Sequence, residues 1–133
     1  MKTIICIEHK RGTGFWRTTT KSGWSSLISM CPNYEYISSQ HNDPSKFPTF
    51  REDINLYNQV EKLNVEISDY LFAFKSIDQM LSGLTLNDLK YCINKLGFSV
   101  YMIEVSDCIE SPYQIVYKPE HIIEKKNINF MFL

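Results

Sequence analysis

The segment from His9 to Trp24 is where residue types and spacing in this chain could do chemistry. It carries Lys10, Arg11, Arg17 and Lys21 beside His9, with no acid after Glu8. Phe15, Trp16 and Trp24 lie among these cations, and Gly12, Gly14 and Gly23 let the backbone come close to a ligand. Guanidinium forks and backbone N–H groups bind phosphate or carboxylate. Indole faces stack on flat rings such as nucleobases. The combination suits a nucleotide-type anion, with His9, Arg11, Trp16, Arg17, Lys21 and Trp24 as ligand-binding residues. The plainer reading is a basic hairpin with Trp16 in the core and the cations solvated. The Gly12-Thr13-Gly14 spacing fits neither a dinucleotide-binding fingerprint nor a P-loop.

A second cluster, His41-Asn42-Asp43-Pro44, adds His41 as a polar ligand contact or a general base. The competing reading is an Asx-turn before proline with His41 exposed. His121, beside Glu120 and Glu124, reads as a surface residue. No catalytic residue is assigned, because no nucleophile elbow, zinc-protease or calcium-loop motif occurs. Cys6 and Cys92 sit in apolar patterns and read as core. Cys31 and Cys108 fall in loops with no adjacent base. The pair Glu52-Asp53 lies at a helix start, where the dipole explains it. The four cysteines and three histidines follow no zinc spacing, so neither metal nor cofactor is expected.

These residues must be positioned by a small domain. The chain has 133 residues, 44% hydrophobic and 22% charged, which fits a single compact domain spanning 1–133. Net charge is -1, but residues 1–50 hold six Lys or Arg against three acids, and residues 51–133 hold eight against twelve. The acidic second half speaks against duplex DNA as a partner. The apolar run at the N-terminus is too short for a signal peptide, and no stretch approaches the roughly 18 apolar residues of a membrane span. The expectation is a cytoplasmic protein with reduced thiols and no membrane partner.

Thr3 to Glu8 reads as a first strand, followed by a glycine turn and a second strand from Phe15 to Thr20. Trp24 to Met30 reads as a short helix stopped by Pro32, and 32–48 as a long loop. Thr49 with Glu52 has capping-box spacing and opens a helix from Phe50 to Leu63. Tyr70 to Phe74 is extended. Ser76 with Gln79 opens a short helix ended by Gly83. Thr85 or Asn87 opens another, striped by Leu86, Leu89, Ile93 and Leu96 and capped at Gly97. Phe98 to Val105 reads as a strand, and Pro112 to Tyr117 as a second one antiparallel to it. Residues 118–133 read as a tail, whose Phe130-Met131-Phe132-Leu133 end docks on the body or serves an interface. The order predicts an α+β fold, mainly antiparallel sheet with two to four helices packed on it.

Three stretches resemble a family of small, uncharacterised phage and prophage proteins. The first is Ile7-Glu8-His9 followed by Thr13-Gly14-Phe15-Trp16-Arg17, similar to a strand ending in Glu-His and then a Thr-Gly-x-Gly-Pro-Tyr turn. Phe15-Trp16 replace that turn's second glycine and proline, and Ile5-Cys6-Ile7 stands where the family's first strand carries an Arg. The second is His41-Asn42-Asp43-Pro44, similar to a His-Pro-x-Pro loop. The third runs from Ala73-Phe74-Lys75-Ser76 through Leu89, Gly97-Phe98 and Ile103-Glu104-Val105 to Gln114-Ile115-Val116-Tyr117. The resemblance implies a virus-type accessory protein. Joined to the basic-aromatic segment, it suggests a protein that binds and sequesters a small anionic, nucleotide-derived ligand, such as a host immune signal, without catalysis. The alternatives are a direct inhibitor of a host protein and an enzyme on a nucleotide or NAD-like substrate. A homo-oligomer with its site between copies is compatible with the first.

Overall fold

The structure, a computed structural model, describes residues 1–10 and 53–133. Strand β1 (Lys2–His9) and strand β3 (Phe98–Val105) pair antiparallel over their whole length, from Lys2 opposite Val105 to His9 opposite Phe98. Strand β6 (Ile122–Asn127) pairs with the other edge of β3, giving the order β1-β3-β6. A second sheet has the order β2-β5-β4, built from β2 (Leu71–Ala73), β4 (Ile109–Glu110) and β5 (Ile115–Tyr117). The sheets are joined where Ile5 N–H donates to the Phe74 carbonyl at 3.0 Å and Phe74 N–H returns the bond at 2.8 Å.

Three apolar layers follow from this arrangement. Ile5, Ile7, Phe98 and Val100 on one face of the first sheet pack against Met80, Leu84, Leu89, Cys92 and Leu96 of the helices. Ile4, Cys6, Ile103 and Val105 on the opposite face pack against Ala73, Ile115 and Tyr117 of the second sheet. The outer side of the second sheet, through Ile109 and Val116, is covered by Leu56 and Val60. β1 is therefore buried on both faces. That is why Ile4-Ile5-Cys6-Ile7 is a continuous apolar run rather than an alternating one. The chain is an α+β protein with antiparallel sheets and packed helices, as its pattern predicts.

Helix α1 (Ile54–Leu63) starts later than the Phe50 start expected from sequence. Asp53 is its N-cap, with Oδ1 accepting from Leu56 N–H at 3.1 Å. Thr49 and Glu52 lie outside the described residues. α1 ends on Asn64, whose φ of 52° is left-handed. Helix α2 (Ile77–Gly83) is capped by Ser76, whose Oγ accepts from Gln79 N–H at 3.0 Å. Gln79 Oε1 reaches back to Lys75 N–H at 2.6 Å, one residue beyond the usual capping-box donor. Helix α3 (Leu86–Lys95) is capped by Thr85, which accepts from Asp88 N–H and donates to Asp88 Oδ2 at 2.7 Å.

Two expectations are corrected. The strand near Tyr117 does not pair with β3. It lies between β2 and β4, closed into a tight hairpin by Ser111 N–H donating to the Gln114 carbonyl at 2.9 Å. A local hairpin closes at little entropic cost, and both edges of β3 are already taken. The second correction concerns the tail. Residues 122–127 form β6, and beyond it Ile128 and Phe132 dock into the main core. Phe130, Met131 and Leu133 stay exposed. The expected strand Phe15–Thr20, the helix Trp24–Met30 and the loop 32–48 lie outside the described residues. No helix among the described residues is long and apolar enough to cross a membrane.

Candidate functional site

β1 carries His9 to the point where helix α3 ends. The imidazole is 5% exposed. It meets Phe98 edge-on, with centroids 5.1 Å apart, and its Nε2 lies 2.9 Å from the Leu96 carbonyl. A carbonyl oxygen only accepts, so that contact assigns the Nε2 proton to the donor side. The next residue, Lys10, donates its N–H to the Gly97 carbonyl at 2.9 Å. Gly97 has φ +78°, and a Cβ there would come within 3.3 Å of His9 Nε2 and of the Lys10 side-chain carbons. Glycine is thus required twice, for the left-handed turn that ends α3 and for the close approach of β1.

Of the ligand-binding residues read from sequence, His9 is described, and its ring is turned into the body. Arg11, Trp16, Arg17, Lys21, Trp24 and His41 lie outside the described residues. Beside His9, Glu8 pairs with Lys125 of β6 at 2.5 Å, and the same ammonium sits 4.4 Å over the Tyr101 ring. Nothing in the sequence signals this contact, because Lys125 belongs to the stretch that reads as a tail.

A polar centre that sequence reasoning missed joins α1 to the β4–β5 hairpin. Asp53 and Ser111 are 3% and 2% exposed. Asp53 Oδ2 accepts from Ser111 Oγ at 2.5 Å and from Gln114 Nε2 at 2.9 Å, while Oδ1 caps the helix. The Ser111 oxygen in turn accepts from the N–H groups of Tyr113 and Gln114. Around it, Glu110 takes Lys75 at 3.0 Å and Lys2 at 3.1 Å. The Lys75 hydrogen bond, with Lys2 behind it, holds the Glu110 carboxyl below its ordinary value. Gln59 Nε2 donates to the Glu110 carbonyl, and Gln79 Nε2 to that of Tyr113.

A serine on a carboxylate has the look of a nucleophile and its base. Here both groups are almost wholly buried and the Ser111 oxygen already accepts backbone N–H groups, so the arrangement holds structure together. The sequence signal was Asp53 itself. An acid at a helix start is consistent with the dipole, but its burial and its hairpin partners depend on tertiary contacts.

Two of the described thiols, Cys6 and Cys108, are raised above the ordinary thiol value. Burial pushes Cys6 up to about 12 despite a 3.3 Å contact with the Tyr117 hydroxyl. Burial raises Tyr117 as well. Cys108 is raised by burial first, then by Glu110 and Asp107. Cys6 and Cys92 are buried, as their apolar surroundings predict. Among the described residues no group of His, Cys, Asp and Glu is placed to hold a metal ion. An open depression on α1 is lined by Asn55, Asn58, Gln59, Glu61 and Lys62. No protein-family model, curated protein or solved structure gives a significant match to this chain.

Proposed function

We propose that this chain is a phage-type accessory protein of the host cytoplasm that binds and sequesters a small anionic, nucleotide-derived ligand without catalysis. The ligand would be a host defence signal. The observation that carries the reading is the clamp of His9 and Lys10 onto Leu96 and Gly97. It fixes the root of a segment rich in cations, indoles and glycines, and anchored loops on rigid scaffolds are where binding residues concentrate. Arg11 and Arg17 would take phosphate, and Trp16 and Trp24 a base. Lys21 and His41 would add polar contacts, while His9 would act through its hold on the scaffold. The raised thiols of Cys6 and Cys108 and the burial of Ser111 beside Asp53 favour binding over covalent chemistry.

Calorimetry and thermal shift with cyclic nucleotides and ADP-ribose derivatives test it. Binding is expected, weakened at least tenfold by Arg11→Ala or Trp16→Ala. No ligand binding more tightly than ~100 μM, about 5–6 kcal/mol, would sink the reading. An altered ligand mass after incubation would move the protein to the enzyme class.

A second reading, a direct inhibitor of a host protein, is favoured by the exposed Phe130, Met131 and Leu133 on the C-terminal turn. Capture of a host factor that depends on these side chains would support it.

A further inference from the structure

We propose that β6 is a self-pairing edge, and that the protein forms a two-fold dimer in which β6 of one copy adds antiparallel to β6 of a second. The two β1-β3-β6 sheets then become one. This inference stands apart from the ligand reading.

Among the described residues β6 is paired on its β3 side alone, and Ile123 to Asn127 are all exposed. The Ile128 N–H donates to the Val100 carbonyl at 2.9 Å. Peptide groups alternate sides along an antiparallel strand, so Lys126 and Glu124 turn theirs toward β3. Lys125 and Asn127 turn theirs outward, ready to bond another strand.

Symmetry narrows the register. A two-fold axis normal to the joined sheet passes midway between a residue and its own copy on the facing strand. With the axis at Glu124, two carboxylates oppose each other and Lys126 faces Ile122. With the axis at Lys125, Glu124 faces Lys126 of the second copy on both sides of the axis, in the closer, non-hydrogen-bonded positions. Asn127 then faces Ile123, beside the bulge where the β3–β6 register shifts at Glu104 and Val105. Lys125 faces its own copy, but its ammonium is drawn back onto Glu8 and the Tyr101 ring. Charge complementarity therefore selects the Lys125 register, with opposite charges paired twice by symmetry.

Lysines and a bulge on an edge also serve to keep strands apart, and that alternative predicts a monomer. Sedimentation velocity and light scattering on the full chain decide between them. A reversible dimer with a micromolar dissociation constant is expected. Lys126→Glu and Glu124→Lys should each weaken it by about tenfold or more, since each turns both cross-strand pairs into like charges. The double reversal E124K/K126E should restore it to near the original affinity. Lys125→Pro removes an outward N–H, which an edge strand tolerates, and should give a folded monomer by circular dichroism. A wild-type chain that stays monomeric overturns the proposal. So do single reversals that leave the dimer intact, a double reversal that fails to restore it, or a folded Lys125→Pro dimer. The reversals lie on exposed side chains, so they decide the matter even if the proline variant does not fold.

Discussion

Replacing Asp53 by Ala should cost far more than the loss of an ordinary helix cap. The carboxylate does three things at once, and each has a separate cost. Losing the Oδ1 bond to Leu56 N–H uncaps α1, worth about 1 kcal/mol. Losing Oδ2 leaves the Ser111 hydroxyl and the Gln114 amide without their buried acceptor, at about 1–3 kcal/mol for each stranded donor. Ser111 Oγ has a weak alternative acceptor in the Gln114 carbonyl at 3.4 Å, which softens its share. These costs are not strictly additive, and a total of about 3–4 kcal/mol is expected. Urea unfolding with an unchanged m-value measures it.

The control is Ser76→Ala, which removes a cap of the same geometry from α2 at an exposed hydrogen bond and should cost about 1 kcal/mol. A second control is the double variant D53A/S111A. It removes donor and acceptor together, so it should be less destabilised than the sum of the single variants by about 1–2 kcal/mol. If Asp53→Ala costs no more than Ser76→Ala, or if the cycle shows no coupling, the buried network is not what fastens α1 to the hairpin.

Three further outcomes follow from the same contacts. Gly97→Ala should destabilise by about 1–2 kcal/mol in thermal unfolding, because φ +78° is strained for any side chain and the new Cβ meets His9 and Lys10 at 3.3 Å. Phe132→Ala should cost about 3 kcal/mol and Phe130→Ala less than about 0.5, since the first is buried in the main core and the second is 68% exposed. Stability should fall as pH rises above 9.0 toward about 12, the ordinary and folded values for the Cys6 thiol. In that window the unfolded chain releases the proton that the folded chain keeps, so folding loses ground; Tyr117, raised the same way, extends the loss. Cys6→Val should flatten the first part of the slope in pH-dependent urea unfolding, and an unchanged slope would remove Cys6 as its cause.

What the sequence revealed about the fold came from local chemistry. Ser76, Thr85 and Gly97 mark helix ends through bonds that span at most a few residues; Ser76 and Gly97 stand where their spacing places them, and Thr85 is the cap of the two starts, Thr85 or Asn87, that the sequence allows. β3 was legible because Phe98, Val100, Ile103 and Val105 are apolar on whichever face they turn. β6 was not. Its Glu124, Lys125 and Lys126 have no alternation that points to a core, because an edge strand exposed along its length has no buried face to satisfy. The partner of β5 was illegible for a different reason. Strand pairing depends on which edges are free, and β3 had both of its edges taken by segments more than ninety residues apart in the chain.

The candidate site divides along the same line. His9 was singled out by its neighbours in sequence, which are cations and aromatics. Its neighbours in space are Leu96, Gly97 and Phe98, an α-helix end and the strand that follows it. A histidine held in this way gives the Leu96 carbonyl a donor at the helix terminus, where carbonyls otherwise go unpaired. The Glu-His pair at the end of β1 then has a consistent physical reading. Glu8 fastens the strand to β6 through Lys125, and His9 fastens it to α3, so the last two residues of β1 grip opposite sides of the sheet.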